Sequence, residues 1–129
     1  MNAIRILISN ELESYREGLA EALRYLRPDA GVFEAEPGDL DRKVERLRPD
    51  LVICSRVSPL VKKSVPSWVE LYPNCERGSV VSARGERREV AEIQLSDLLD
   101  LVDRVEDSLQ QHRTAALQAP RAPEDPTAV

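Results

Sequence analysis

Hydrophobic and polar positions follow two patterns along this chain, one typical of buried strands and one typical of amphipathic helices. The clearest strand signal is the apolar run at residues 51–54, which follows Pro49 and Asp50 and ends at Ser55. A short, β-branched run bounded by turn residues is typical of a strand buried on both faces at the centre of a parallel sheet. Residues 4–8 predict a similar first strand, and residues 31–35 predict a weaker second strand.

Two helices are predicted between these strands. Ser9 and Asn10 are candidate caps for the first, whose apolar residues recur every three or four positions: Leu12, Tyr15, Leu19, Leu23 and Leu26. Gly18 interrupts this stripe and lowers helix stability by about 1 kcal/mol relative to alanine, unless a neighbouring element packs so closely that there is no room for a side chain. Pro37 and Gly38 open a second helix, with Leu40, Val44 and Leu47 on one face. Alternating strands and helices predict an α/β fold with a mostly parallel sheet flanked by helices.

The second half of the chain follows a different pattern. Residues 56–66 predict a loop with at most one helical turn, and residues 67–72 predict a strand. Two strand-like runs, 78–83 and 87–93, flank a short glycine turn and predict a β-hairpin. Leucines and valines from Leu95 to Leu109 then predict a long final helix with Ser96 as its cap. We expect one domain over residues 1–113 and a disordered Ala/Pro-rich tail over 114–129.

Composition excludes several classes of function. The net charge of -5 and the pI near 5.0 argue against a direct nucleic-acid binder, which normally carries a basic face. Aromatic residues make up only 4% of the chain, so few rings are available to stack on bases. No apolar run approaches membrane-spanning length, and no signal peptide is evident, so we expect a cytoplasmic protein without membrane contact.

The sequence offers little material for a metal, cofactor or catalytic site. Cys54 and Cys75 are not spaced like the ligands of a metal site. Cys54 lies in the apolar run and is expected to be a small buried hydrophobic residue. The turn after the first strand has no glycine to cradle a phosphate, which argues against a nucleotide-binding enzyme. The single histidine, His112, lies at the end of the final helix, away from any nucleophile. We therefore predict a protein that is not an enzyme and has no cofactor.

Two sequence blocks resemble the receiver domain of response regulators. Residues 10–19, Asn-Glu-Leu-Glu-Ser-Tyr-Arg-Glu-Gly-Leu, resemble the segment in which an acidic pair precedes the first helix. Residues 48–55, Arg-Pro-Asp-Leu-Val-Ile-Cys-Ser, resemble the third strand, which in that family ends on the phosphorylated aspartate. The resemblance covers the first half of the chain and, more loosely, the final helix. It implies a flavodoxin-like receiver fold whose second half is remodelled by the hairpin.

The resemblance also implies a degenerate phosphorylation pocket. Ser55 stands at the phosphoacceptor position, and Asn10 and Glu11 stand at the acidic pair, so one carboxylate remains of three. Magnesium favours several hard, charged oxygen ligands, which this set does not supply. The lysine of the family has no counterpart, because Lys63 is the last lysine in the chain. Ser82 fills the hydroxyl position only if residues 78–83 match the fourth strand of the family; if residues 67–72 match it, Ser82 has no such role.

The function expected from these features is protein recognition that does not depend on phosphorylation, in two-component-type or transcriptional signalling. We expect contacts through the final helix and through a surface of five residues: Trp68, Tyr72, Arg84, Arg87 and Arg88. Strand edges can pair with a partner protein or with a second copy, so a homodimer is one expectation. The alternative is an atypical receiver whose modified pocket still binds a phosphoryl group or a small ligand.

Overall fold

The computed structural model describes residues 3–71, 78–83 and 86–118, with side chains as far as residue 111. The chain has an α/β architecture in which six strands form one mixed sheet flanked by helices. Its strands are β1 (Arg5–Ser9), β2 (Gly31–Glu34), β3 (Leu51–Cys54), β4 (Ser67–Glu70), β5 (Ser79–Ala83) and β6 (Glu86–Val90). Its helices are α1 (Glu13–Leu26), α2 (Leu40–Leu47), α3 (Pro59–Ser64) and α4 (Leu95–Gln118), and a 3-10 turn (Pro37–Asp39) precedes α2.

The sheet has the strand order β2-β1-β3-β4-β5-β6. The first four strands are parallel, whereas β5 runs antiparallel to β4, and β6 runs antiparallel to β5. This topology confirms both the parallel arrangement predicted for the first half of the chain and the hairpin predicted for the second half. The fourth parallel strand is the one that begins at Ser67.

Helices cover both faces of the sheet, so the core has two layers. On one face, α1 and α4 pack through Leu23 and Val102 against Ile6 and Ile53. On the other face, α2 and α3 pack against the opposite side of the same strands, including Leu7, Val52 and Trp68. All four residues of β3 are buried because this strand lies inside the sheet and between the two helical layers. The apolar run of β3 is therefore explained by burial on both faces.

The start of α1 differs from the prediction. Leu12 occupies the N-cap position and makes no side-chain capping hydrogen bond, so Ser9 and Asn10 do not cap this helix. Leu12 and Tyr15 are 67% and 41% exposed, whereas the apolar face of α1 packs through later residues such as Leu19. The two predicted caps are instead buried, because the chain leaves β1 inside the sheet before it turns outward into α1.

The final helix begins and ends at different residues from those predicted. The Asp97 carboxylate accepts a hydrogen bond from the Gln94 backbone N–H at 2.9 Å, so Asp97 rather than Ser96 stabilises the start of α4. The helix continues to Gln118, so the first five residues of the predicted tail, 114–118, are helical. Residues 114–118 include two alanines and a leucine, which favour helix, and Pro120 follows them. The rest of the predicted tail, 119–129, lies outside the described residues.

An ion pair connects the first helix to the last. Arg27 follows α1 and donates to both carboxylate oxygens of Asp103 on α4, through Nε at 2.7 Å and Nη2 at 2.8 Å. The hydrogen bond from Arg27 lowers the pKa of Asp103 and raises that of Arg27. Both side chains are partly exposed, so the pair fixes the relative position of the two helices more than it adds stability.

Candidate functional site

The candidate site lies where the parallel strands end. Ser9 and Cys54 are register partners at the last paired position of β1 and β3. The residues that follow these strands therefore leave the sheet side by side at its carboxyl edge, where ligands bind in open α/β sheets. This geometry brings Asn10, Glu11 and Ser55 to one edge of the sheet.

A hydrogen bond joins two of these predicted residues. The backbone N–H of Glu11 donates to Ser55 Oγ at 3.0 Å. It connects the β1–α1 loop to the β3–α3 loop across 44 positions of sequence. The Ser55 hydroxyl oxygen thus holds two loops together. The Glu11 side chain is exposed at the same edge.

Two polar side chains at this edge are buried without a hydrogen-bond partner among the described residues. Ser9 is 2% exposed and Asn10 is 3% exposed. Ser9 Oγ and Asn10 Oδ1 are the two atoms concerned. A buried oxygen that lacks a donor costs about 1–3 kcal/mol, and such atoms are rare in folded proteins. Asn10 Oδ1 therefore accepts no hydrogen bond from the described residues.

Arg16 also belongs to this edge, and sequence reasoning missed it. Its guanidinium donates from Nη1 to the backbone carbonyl of Asn10 at 2.8 Å, and the residue is only 8% exposed. This bond fixes the Asn10 backbone against α1. A signal was present, because Arg16 lies three, four and seven positions before Leu19, Ala20 and Leu23 and so shares their buried face. An arginine on the buried face of a helix requires an acceptor.

A cleft of about 510 Å³ opens beside Ser9 at the carboxyl edge. It is formed by the end of β1, the start of α2 and the β3–α3 loop. Its lining residues are Ser9, Glu11, Pro37, Gly38, Leu40, Asp41, Ser55, Arg56, Val57, Ser58 and Pro59. Two carboxylates and one guanidinium are among them, so the lining has little net charge.

One wall of the cleft is fixed by a hydrogen-bonded pair. Ser58 Oγ donates to Asp41 Oδ1 at 2.6 Å and also accepts from the Val61 backbone N–H at 3.2 Å. Ser58 thus caps α3 and ties it to the first turn of α2. Sequence analysis did not identify Asp41 as a member of this site.

Cys54 lies beneath this edge and is unreactive at neutral pH. Its side chain is fully buried, as the sequence predicted for a small hydrophobe. Burial, together with the negative charge of Glu70, raises the pKa of the Cys54 thiol to about 12. A thiol with so high a pKa stays protonated at neutral pH and is a poor nucleophile. Glu70 itself accepts a hydrogen bond from the Val57 backbone N–H at 2.9 Å and so holds the β3–α3 loop.

Ser82 does not belong to this site, and its inclusion in the pocket was wrong. It pairs with Trp68 on β4, which in turn pairs with Val52 on β3. Ser55 lies three residues beyond Val52, a separation of about 10 Å along a strand. Because β5 runs antiparallel to β4, its later residues lie toward the amino edge of the parallel strands. The strand direction therefore separates Ser82 from Asn10, Glu11 and Ser55.

The predicted interaction surface is only partly accessible. Trp68 is 3% exposed and was wrongly assigned to a contact surface, because β4 lies between β3 and β5 inside the sheet. Arg87 and Arg88 lie on the exposed strand β6, and the Arg87 guanidinium carbon lies 5.4 Å from the centre of the Trp68 ring. Tyr72 and Arg84 lie outside the described residues.

The described part of the chain offers neither a metal-binding cluster nor a membrane-spanning helix. No group of three or more His, Cys, Asp or Glu residues there is arranged to hold a metal ion. None of the described helices combines the length and the apolar character needed to cross a membrane. Comparisons with protein-family models, with curated proteins and with solved structures gave no match.

Proposed function

We propose that this chain is a receiver-like protein-interaction module that works without phosphorylation and catalyses no reaction. The strand order β2-β1-β3-β4, with parallel strands and helices on both faces, supports the proposed flavodoxin-like arrangement. The placement of Asn10, Glu11 and Ser55 at one edge supports the correspondence with the pocket of a receiver. The antiparallel β5 and β6 depart from that arrangement and make up its proposed remodelled half.

The hydrogen bond from Glu11 to Ser55 is the observation that carries this proposal. A receiver needs a carboxylate here to attack phosphorus, and its acidic groups hold magnesium. Ser55 offers a neutral hydroxyl whose oxygen already accepts the Glu11 N–H at 3.0 Å. With one carboxylate in place of three, the developing charge of phosphoryl transfer would lack its usual metal. The same groups serve instead to hold two loops in fixed positions.

A titration with magnesium, followed by beryllofluoride as a phosphoryl mimic, tests this proposal. We expect neither addition to raise the melting temperature or to shift the backbone amide signals of Glu11 and Ser55 in an NMR spectrum. The matched control is the double variant Asn10→Asp, Ser55→Asp, which restores the acidic groups and should gain magnesium binding. Binding of either probe to the unmodified chain near Glu11 would overturn the proposal.

The cleft beside Ser9 favours a second candidate, the binding of a small neutral ligand. Ser9 lines the cleft, and its hydroxyl oxygen is buried just behind this lining without a partner among the described residues. Glu11 and Asp41 place carboxylates on the same lining, which disfavours a phosphoryl dianion more than an uncharged molecule that can donate hydrogen bonds. A hydroxyl- or amide-bearing ligand would satisfy Ser9 at little electrostatic cost.

The variants Ser9→Ala and Ser55→Ala distinguish a site that awaits a ligand from one satisfied within the chain. Removal of the unpartnered Ser9 hydroxyl should leave stability unchanged or raise it by up to about 1 kcal/mol, whereas Ser55→Ala should lose about 1 kcal/mol. Glycerol and acetamide then serve as probes in an NMR titration. Shifts of the Gly38 and Ser58 amides that disappear in Ser9→Ala would support the ligand site, and an absence of shifts with both probes would contradict it.

A further inference from the structure

Strand β6 is an edge of the sheet and has only β5 as a strand neighbour within the described chain. Four of its five residues are exposed, and Val90 is half-buried. Alternate residues of an edge strand direct backbone N–H and C=O groups away from the sheet, where another strand can bind them. The accessible part of the predicted interaction surface, Arg87 and Arg88, lies on this strand.

The charges of β6 are arranged differently on its two faces. Arg87 pairs with Ser82, which pairs with Trp68, so Arg87 and Glu89 lie on the face that carries Trp68. Glu86, Arg88 and Val90 lie on the other face, toward α4. Each face therefore carries one acidic and one basic residue, two positions apart.

We propose that β6 pairs antiparallel with β6 of a second copy of this chain, in a register centred on Arg88. This inference rests on the proposed function as an interaction module and names its partner. A two-fold axis through Arg88 uses all five residues of the strand. It places Arg87 of each copy opposite Glu89 of the other, which gives two cross-strand ion pairs on the Trp68 face.

The neighbouring registers are less favourable. Centring the pairing on Arg87 also places Glu86 opposite Arg88, but it pairs only three of the five β6 residues and places two copies of Arg87 opposite each other on the Trp68 face. Centring it on Glu89 likewise pairs only three residues and places two carboxylates opposite each other. The chosen register places the two copies of Arg88 opposite each other on the α4 face. There Arg88 shares a cavity with Asp97, Asp100 and Arg104, and the two carboxylates balance the two arginines, so the lining has no net charge.

The Arg87 side chain reaches inward past β5 to Trp68 on β4, so this contact has to open before Arg87 can meet a carboxylate at the outer edge of β6. Its guanidinium carbon lies 5.4 Å from the ring centre, within the range of a cation–π interaction. Charged residues at a sheet edge usually prevent pairing, but this self-complementary pattern selects another copy of the same strand.

Charge reversal tests both the strand and the register. We expect sedimentation equilibrium of the full chain, at low ionic strength and from micromolar to millimolar concentration, to show a monomer–dimer equilibrium. Arg87→Glu and Glu89→Arg should each weaken dimerisation about tenfold or more, because both ion pairs become repulsive. Mixing the two single variants should give a one-to-one heterodimer, and the double variant should dimerise again. Lys63→Glu, an equal charge change on α3, should leave the dimer unchanged.

The possible failures are separable. A wild-type chain that stays monomeric over this range would overturn the dimer, and a dimer insensitive to both reversals would overturn β6 as the interface. Weakening by both reversals without recovery in the mixture would overturn the register. Circular dichroism melts confirm that each variant is folded. None of these results depends on the magnesium and beryllofluoride titration, so the receiver-like pocket and the dimer can fail independently.

Discussion

Strands β3 and β6 belong to one sheet but have opposite surroundings. All four residues of β3 are buried between β1, β4 and two layers of helices, whereas four of the five residues of β6 are exposed. The parallel part of the sheet thus supplies the core and positions the Ser55 edge. In the antiparallel hairpin, β5 still contributes Val81 to the core, whereas β6 adds a charged rim with few buried contacts. Stability should depend mainly on the first part, and recognition mainly on the second.

The largest expected effect comes from comparing one alanine substitution on β3 with one on β6. Ile53→Ala removes a fully buried side chain at the centre of β3 and should lower the free energy of unfolding by about 3 kcal/mol. Val90→Ala on β6 should cost less than about 1 kcal/mol, because Val90 is only half-buried. Urea denaturation measures both. Equal losses would mean that the hairpin contributes as much to the core as the parallel strands do.

Alkaline pH tests the burial of β3 without changing its shape. The folded pKa of the Cys54 thiol is raised to about 12, so the unfolded chain releases this proton first as the pH rises. The contribution of this thiol to the free energy of unfolding is fully present at pH values below the ordinary thiol pKa. It decreases as the pH rises above that pKa, by about 1 kcal/mol between pH 9 and pH 10. Urea denaturation at several pH values measures the slope. Cys54→Ala should remove this component, and an unchanged slope in that variant would show that Cys54 is not its source.

The smallest expected effect concerns α1 at the exposed surface of the parallel half. A Cβ added at Gly18 would meet no atom within 4 Å, so close packing does not explain this glycine. Gly18→Ala should raise the free energy of unfolding by about 0.5–1 kcal/mol. Gly31→Ala on β2 is the control, because its Cβ would lie 3.2 Å from the Phe33 ring and should bring no comparable gain. A loss of stability in Gly18→Ala would indicate a constraint on the backbone at this position.

The same contrast explains which features were predictable. The strands of the parallel part were identified because burial on both faces requires continuous apolar runs, as in β3. The side chains at the Ser55 edge were harder to place, because Ser9 and Arg16 are polar residues in buried positions, and a hydrophobic pattern assigns such residues to the surface. Trp68 was misplaced for the complementary reason: sequence does not show that the following hairpin covers β4. Ser82 was misplaced because strand direction, and hence the edge it reaches, depends on the pairing partner.

The position of β1 between β2 and β3 has a consequence for how the chain folds. β1 pairs with Gly31 of β2 on one side and with Leu51 of β3 on the other. Its backbone groups therefore find no strand partner until residues distant in sequence have folded against it. Closure of such long loops slows folding, whereas the β5–β6 hairpin closes locally. The hairpin can therefore form early but has no sheet to join until β4 is in place. Pulse-labelled hydrogen exchange should detect late, simultaneous protection of Ile6, Leu51 and Val69, and β1 would then be among the last strands to acquire its partners.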